Sequence, residues 1–187
     1  MALVKSDALH LLSQIEFSPR CKQIAEYWLS IWDGDLLPQR GRVEIARIKS
    51  LLPGVILFDV VPNKSVKVRL AGTEFWSILK LQLTGGDWLA MTPLKDRAER
   101  LRIFSAVARG AIGFNQWGFE IEQRGMAVGE KLLLPLRGNA EDTAIPVLGF
   151  VDWMRSPEYC GGGLSLERIA RPALLGPALQ MKGGLLC

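Results

Sequence analysis

A chain of 187 residues, 49% hydrophobic and 22% charged, has the balance of a globular protein with one sizeable core. No apolar run approaches the ~20 residues of a membrane span, and the N-terminus MALVKSDALHLLSQIEF is broken by Ser, Asp and Gln where a secretory signal is continuous, so a cytoplasmic location is expected. The net charge is +4. The basic residues are spread along the chain, with two loose groups: Arg40, Arg42, Arg47 and Lys49 diluted by Glu44, and Lys95, Arg97, Arg100, Arg102 and Arg109 diluted by Asp96 and Glu99; both read as solvated helix faces, without a nucleic-acid reader motif.

Ser6 stands at the start of a short predicted helix carrying Leu9, Leu12 and Ile15. Ser18-Pro19 is a stronger start signal, because Ser caps the first turn and Pro pre-sets the first helical φ. The helix that follows carries Cys21, Ile24, Trp28, Ile31 and Trp32 on one stripe and ends at Asp33-Gly34. Such a stripe packs on a core or, on a helix outside a domain, on a second copy of the chain. Ile24, Trp28, Ile31 and Trp32 are therefore the expected homodimer interface. Gly41 to Leu52 reads as a further helix, with Val43, Ile45, Ile48, Leu51 and Leu52 apolar and Pro53-Gly54 as its stop.

Leu52 to Gly86 is the most informative stretch. Val55 to Val61 is dense in β-branched and aromatic residues and reads as a buried strand. Pro62-Asn63-Lys64 turns the chain, and Val66, Val68 and Leu70 then alternate with Lys67 and Arg69 as a half-exposed strand. Asp59 is placed to pair across the hairpin with Lys67 or Arg69. Gly72 breaks the strand, and Thr73 caps a predicted helix, Glu74 to Lys80, that buries Phe75, Trp76 and Leu79. Leu83-Thr84-Gly85-Gly86 is a loop.

Asp96 to Ala108 is an amphipathic helix, with Leu101, Phe104, Val107 and Ala108 on its apolar face and Gly110 after it. Three strands follow: Phe114 to Gln123, Gly129 to Leu136, and Ile145 to Trp153. Beyond Ser156-Pro157 the chain is Gly-rich and Pro-interrupted, with a short predicted helix at Leu164 to Ala170 and a tail expected to be mobile or to pack on a partner. The division expected is residues 1–35 as flanking helices, 36–155 as the domain, and 156–187 as an extension. Two groups of strands separated by helices argue for an α+β fold with an antiparallel sheet.

Several local motifs carry a resemblance. They are Tyr27-Trp28, Leu36-Leu37-Pro38, Leu51-Leu52-Pro53, Phe58-Asp59-Val60, Arg69-Leu70-Ala71-Gly72-Thr73, Leu83-Thr84-Gly85, and Glu130-Lys131-Leu132-Leu133-Leu134-Pro135-Leu136. In this order and spacing the chain, from about Ile24 to Trp153, resembles the single-domain PAS family common in alphaproteobacteria. The resemblance implies a five-stranded sheet of order 2-1-5-4-3 with helices on one face and the N-terminal helices flanking it. It departs at Leu79-Lys80-Leu81-Gln82, where the family has a Phe-Gly-Arg-Asp-type segment; losing that Gly changes the backbone freedom of the helical flap.

The resemblance also implies a pocket, whose expected walls are Phe58, Leu70, Trp76, Phe104, Trp117, Phe119 and Phe150. The same seven residues also read as plain core, the commoner role of an aromatic stripe. Haem held by a core histidine is not expected, since no His follows His10. Cysteinyl-flavin chemistry is not expected either, since no Cys lies between Cys21 and Cys160. The cofactor is thus open, and the apolar pocket is expected to hold a small organic molecule, a fatty acid, or nothing. Three scattered Cys and one His make neither a disulfide framework nor a zinc site. No nucleophile elbow or phosphate loop is present.

The leading reading is a non-catalytic sensory module that dimerises and signals through a regulatory protein partner, since no kinase, cyclase or DNA-binding segment is attached. A ketosteroid isomerase-like cone using Asp59 or Asp152, and a basic nucleic-acid-binding module, are the rivals. The hairpin before the main helix favours the first reading.

Overall fold

The computed structural model describes residues 3–34, 36–121, 125–139, 141–155, 164–165 and 173–175, with the backbone alone for 116–121, 125–126, 155, 164–165 and 173–175. Its centre is one antiparallel sheet. The strands are β1 (Val55–Val61), β2 (Ser65–Ala71), β3 (Ile112–Ile121), β4 (Gly125–Pro135), β5 (Ile145–Arg155), β6 (Leu164–Ser165) and β7 (Ala173–Leu175). The first five lie in the order β2-β1-β5-β4-β3, and β6 and β7 both pair with β3. The expected α+β class and strand order 2-1-5-4-3 are therefore those of the protein. Leu164, expected to open a helix, lies instead in β6 opposite Ile121. Residues 166–170 of that expected helix lie outside the described residues.

Helices cover both faces of the sheet. On one face lie α3 (Thr73–Leu79) and α4 (Arg97–Ala108), and their Phe75, Leu79, Phe104 and Val107 form one core with Ile56, Phe58, Val66, Val68, Leu133 and Val147. On the other face lie α1 (Lys5–Ser13) and α2 (Pro19–Ser30), whose Leu12, Cys21, Ile24 and Trp28 pack on Leu132, Leu134, Leu148 and Phe150. The N-terminal helices are thus the second layer of the same sheet. Burying a side chain such as Ile24 completely contributes on the order of 1.5–3 kcal/mol.

Local chemistry explains the boundaries. The Ser18 hydroxyl accepts from the Cys21 N–H at the start of α2, and Pro19 occupies the first helical position. In contrast, α1 begins at Val4 with no side-chain cap. Residues 41–52 do not form the expected α-helix but three 3-10 turns, Arg40–Arg42, Ile45–Ile48 and Leu52–Gly54. Tertiary hydrogen bonds take the backbone away from a helical ladder there: Glu44 N–H donates to the Tyr27 hydroxyl at 2.7 Å, and Arg40 N–H to the Arg137 carbonyl at 2.9 Å. The β-branched Val43, Ile45 and Ile48 offer little intrinsic helical preference to resist this.

The outer edge of β2 is occupied by a loop. Val68 N–H donates to the Gly86 carbonyl, Gly85 N–H to the Val68 carbonyl, and Trp88 N–H to the Val66 carbonyl. Gly72 joins β2 to α3 under steric constraint: a Cβ on it would lie 2.2 Å from the Leu52 carbonyl oxygen.

Candidate functional site

The layer between the sheet and α3–α4 is built on Phe58. Its ring meets Phe104 edge-on at 4.7 Å and Trp88 at 5.4 Å. Gly149 on β5 makes room for it, since a Cβ there would approach Phe58 Cε2 to 2.9 Å. Phe75 and Trp153 meet edge-on at 5.8 Å elsewhere in the same core. Of the seven expected wall residues, the structure brings together Phe58 and Phe104. Trp88 completes the group; it went unnoticed in the sequence because it follows Gly85-Gly86 in a loop.

Three expected wall residues lie elsewhere. Val66 and Val68 face the inner core, but the register with β1 slips at a β-bulge: Val68 stands opposite Phe58 and Leu70 opposite Leu57. The extra residue, Arg69, turns Leu70 onto the other face, where it is 48% exposed. Trp76 is 55% exposed because α3 buries Phe75 and Leu79, one helical turn apart, and Trp76 falls outside that stripe. Phe150 packs in the core under α2. The side chains of Trp117 and Phe119 lie outside the described residues.

The inner face also holds a polar pair. Asn115 on β3 stands opposite Lys131 on β4, and both are buried, Lys131 at 6% exposure. Ala127, four residues before Lys131, and Leu133, two after it, lie on the same face and belong to the apolar core. Lys131 sits within Glu130-Lys131-Leu132-Leu133-Leu134, and only the strand phase tells that it points inward while Glu130 points to α2.

The expected dimer stripe is placed differently too. Ile24, Trp28, Ile31 and Trp32 are all buried in the chain's own second core. Trp28 Nε1–H donates to the Pro135 carbonyl at 2.9 Å, and its ring meets Trp32 edge-on at 5.2 Å. The stripe therefore faces the sheet of its own chain, and a second copy has no access to it.

At the N-terminal end of α2 the same layer becomes ionic. The Arg20 guanidinium lies 5.3 Å over the Phe150 ring. Its Nη2 donates to Glu74 Oε1 at 2.9 Å, and its Nη1 to Glu74 Oε2 at 3.3 Å and to Asp152 Oδ1 at 3.1 Å. Glu130, directly across the strands from Asp152, accepts the Ser18 N–H at 2.8 Å and so meets the positive end of the α2 dipole. Cys21 lies beside these groups, fully buried, and burial pushes its thiol up to about 12. Asp59, the other acidic candidate, accepts both of its bonds from Arg69 Nε, at 2.8 and 3.0 Å. Each candidate acid is thus engaged by an arginine.

A cleft of about 440 Å³ lies away from the aromatic layer, lined by Leu3, Leu37, Ala108, Leu136, Arg137 and Ile145. Another of about 430 Å³ runs between α1 and α2, past Leu9, Phe17 and Leu29. Neither includes a residue expected to line the pocket. Among the described residues no group of His, Cys, Asp and Glu is arranged to hold a metal ion, and no helix is long and apolar enough to cross a membrane.

No curated protein matches the sequence. The family described as PAS domain matches residues 17–152, a span that takes in α2, both inner helices and four complete strands, and reaches Asp152 in β5. Together with the strand order β2-β1-β5-β4-β3, this match establishes that the chain belongs to the PAS domain family.

Proposed function

We propose that this chain is a non-catalytic sensory or regulatory module that holds a small organic ligand between the sheet and α3–α4. The observation that carries this reading is the inner layer itself. An aromatic group of Phe58, Trp88 and Phe104 is covered by α4, and the buried Asn115–Lys131 pair lies on the same sheet face. An apolar site with a few placed polar groups suits a largely apolar molecule with one polar end. The engagement of Asp59 by Arg69 and of Asp152 by Arg20 supports a structural role for both acids.

The proposal includes the three-part division of the chain. Residues 1–35 act as the flanking layer, 36–155 as the sensing sheet, and 156–187 as an extension. It also includes a cytoplasmic bacterial setting, a regulatory protein partner and a homodimer that meets through residues other than the buried stripe. Output follows from a population shift: occupancy changes how α3 and α4 pack, and with them the partner surface.

Native mass spectrometry of the chain purified from its own host tests the ligand. The expected result is an additional mass that is lost in Gly149→Leu, which drives a side chain into the space of Phe58. Protein that carries no added mass from any growth condition overturns ligand binding.

A further inference from the structure

We infer that Arg20 is a coupling residue that links the packing of α3, on one face of the sheet, to the docking of α2 on the other. The two helices belong to separate apolar cores. Arg20 bridges them. It projects from the first turn of α2, crosses the Phe150 ring, and grips Glu74 with both terminal nitrogens. Glu74 lies in the first turn of α3.

The passage between the layers is shaped for this contact. Gly54 lies where the two meet, and a Cβ on it would come within 3.0 Å of Glu74 Oε2 and of Phe150 Cε2, and 2.5 Å of the Val151 carbonyl oxygen. The pair therefore runs through a gap that only glycine leaves open. The bidentate fork gives it direction as well as attraction.

Arg20 also has a second partner in place. Asp152 on β5 accepts from Nη1 at 3.1 Å, so the guanidinium stays held when Glu74 withdraws. Losing Glu74 changes where the fork points. Asp152 draws it toward β5, while Glu130, across from Asp152, anchors the Ser18 N–H one step before the helix. Two arrangements of one cation, shared between Glu74 and Asp152 or held by Asp152 alone, make a discrete element that α3 biases and α2 reads. The coupling holds whether the trigger under α3 is a ligand or a protein, so it does not depend on the ligand proposal.

Hydrogen exchange on the full chain tests it, amide by amide. Glu74→Gln keeps the shape of the side chain and removes its charge. The expected result is exchange about threefold to tenfold faster in α2 from Cys21 to Trp28, with β4 amides at Leu132 to Leu134 unchanged. Arg20→Met is expected to loosen the same amides, and the double variant to add nothing to Arg20→Met alone. Should Arg20→Met fail to fold, Arg20→Lys, which keeps the charge without the fork, replaces it in the cycle. Unchanged α2 exchange in Glu74→Gln, additive effects in the double variant, or a uniform rise across the sheet each overturn the coupling.

Discussion

Trp28 and Pro135 are joined by one buried hydrogen bond, from the indole Nε1–H to the last carbonyl of β4, 2.9 Å away. The bond fixes α2 over the end of the strand and satisfies a carbonyl that is closed off from water. Trp28→Phe leaves that carbonyl unpaired, and the expected loss is about 1–3 kcal/mol in a denaturant titration. Trp28→Ala adds a cavity and is expected to cost about 3–5 kcal/mol. If Trp28 instead held two copies together, Trp28→Phe would lower the sedimentation coefficient and leave the unfolding midpoint of the monomer alone.

The bulge at Arg69 separates two neighbouring apolar residues in energy. Val68 is fully buried and Leu70 is 48% exposed. Val68→Ala is expected to destabilise by about 2 kcal/mol, and Leu70→Ser to remain within about 0.5 kcal/mol of the parent. Equal losses from both, measured by thermal unfolding, would mean that Leu70 shares the inner core.

Lys80 ends α3 in the left-handed region, with φ 57°. This is the position at which a glycine would be free of steric cost. Lys80→Gly is expected to raise stability by about 0.5–1 kcal/mol, the left-handed penalty less the extra freedom of glycine in the unfolded chain. A fall in melting temperature would show that the Lys80 side chain outweighs its backbone strain.

Cys21 contributes a pH dependence of known sign. Its thiol rises from 9.0 to about 12, first through desolvation. Between these values the folded state retains a proton that the unfolded state releases. Stability from this group is therefore complete below pH 9.0 and is lost as pH rises toward about 12, at a slope of up to about 1.4 kcal/mol per pH unit. Cys21→Ala is expected to flatten that part of the curve. Peptide-level alkylation at pH 8 should find Cys21 far slower than in denatured protein, and equally fast labelling would contradict its burial.

The strands were legible from the β-branched density of 55–61 and the alternation of 66–70 and 114–121, Gly72-Thr73 marks the turn into α3, and the strand order was legible only through the family resemblance that these motifs carry. The start of α2 was legible from Ser18-Pro19. The second helical layer was not. A stripe of Ile24, Trp28, Ile31 and Trp32 states that a face is apolar, and packing on the chain's own sheet or on another copy writes the same pattern. The site was less legible still. Leu70 was misplaced by one bulge residue, which leaves no mark in composition. Arg20, Glu74 and Asp152 lie too far apart in sequence for any local motif to connect them, so only the folded sheet brings them within reach.

The loop that bonds to Val66 and Val68 changes the chemistry of the outer edge of β2. With the backbone of β2 already paired to residues 85–88, its rim offers no open ladder for an incoming strand. Recognition along that side must then run through side chains. Such side chains can be exchanged by mutation without disturbing the backbone pairing beneath.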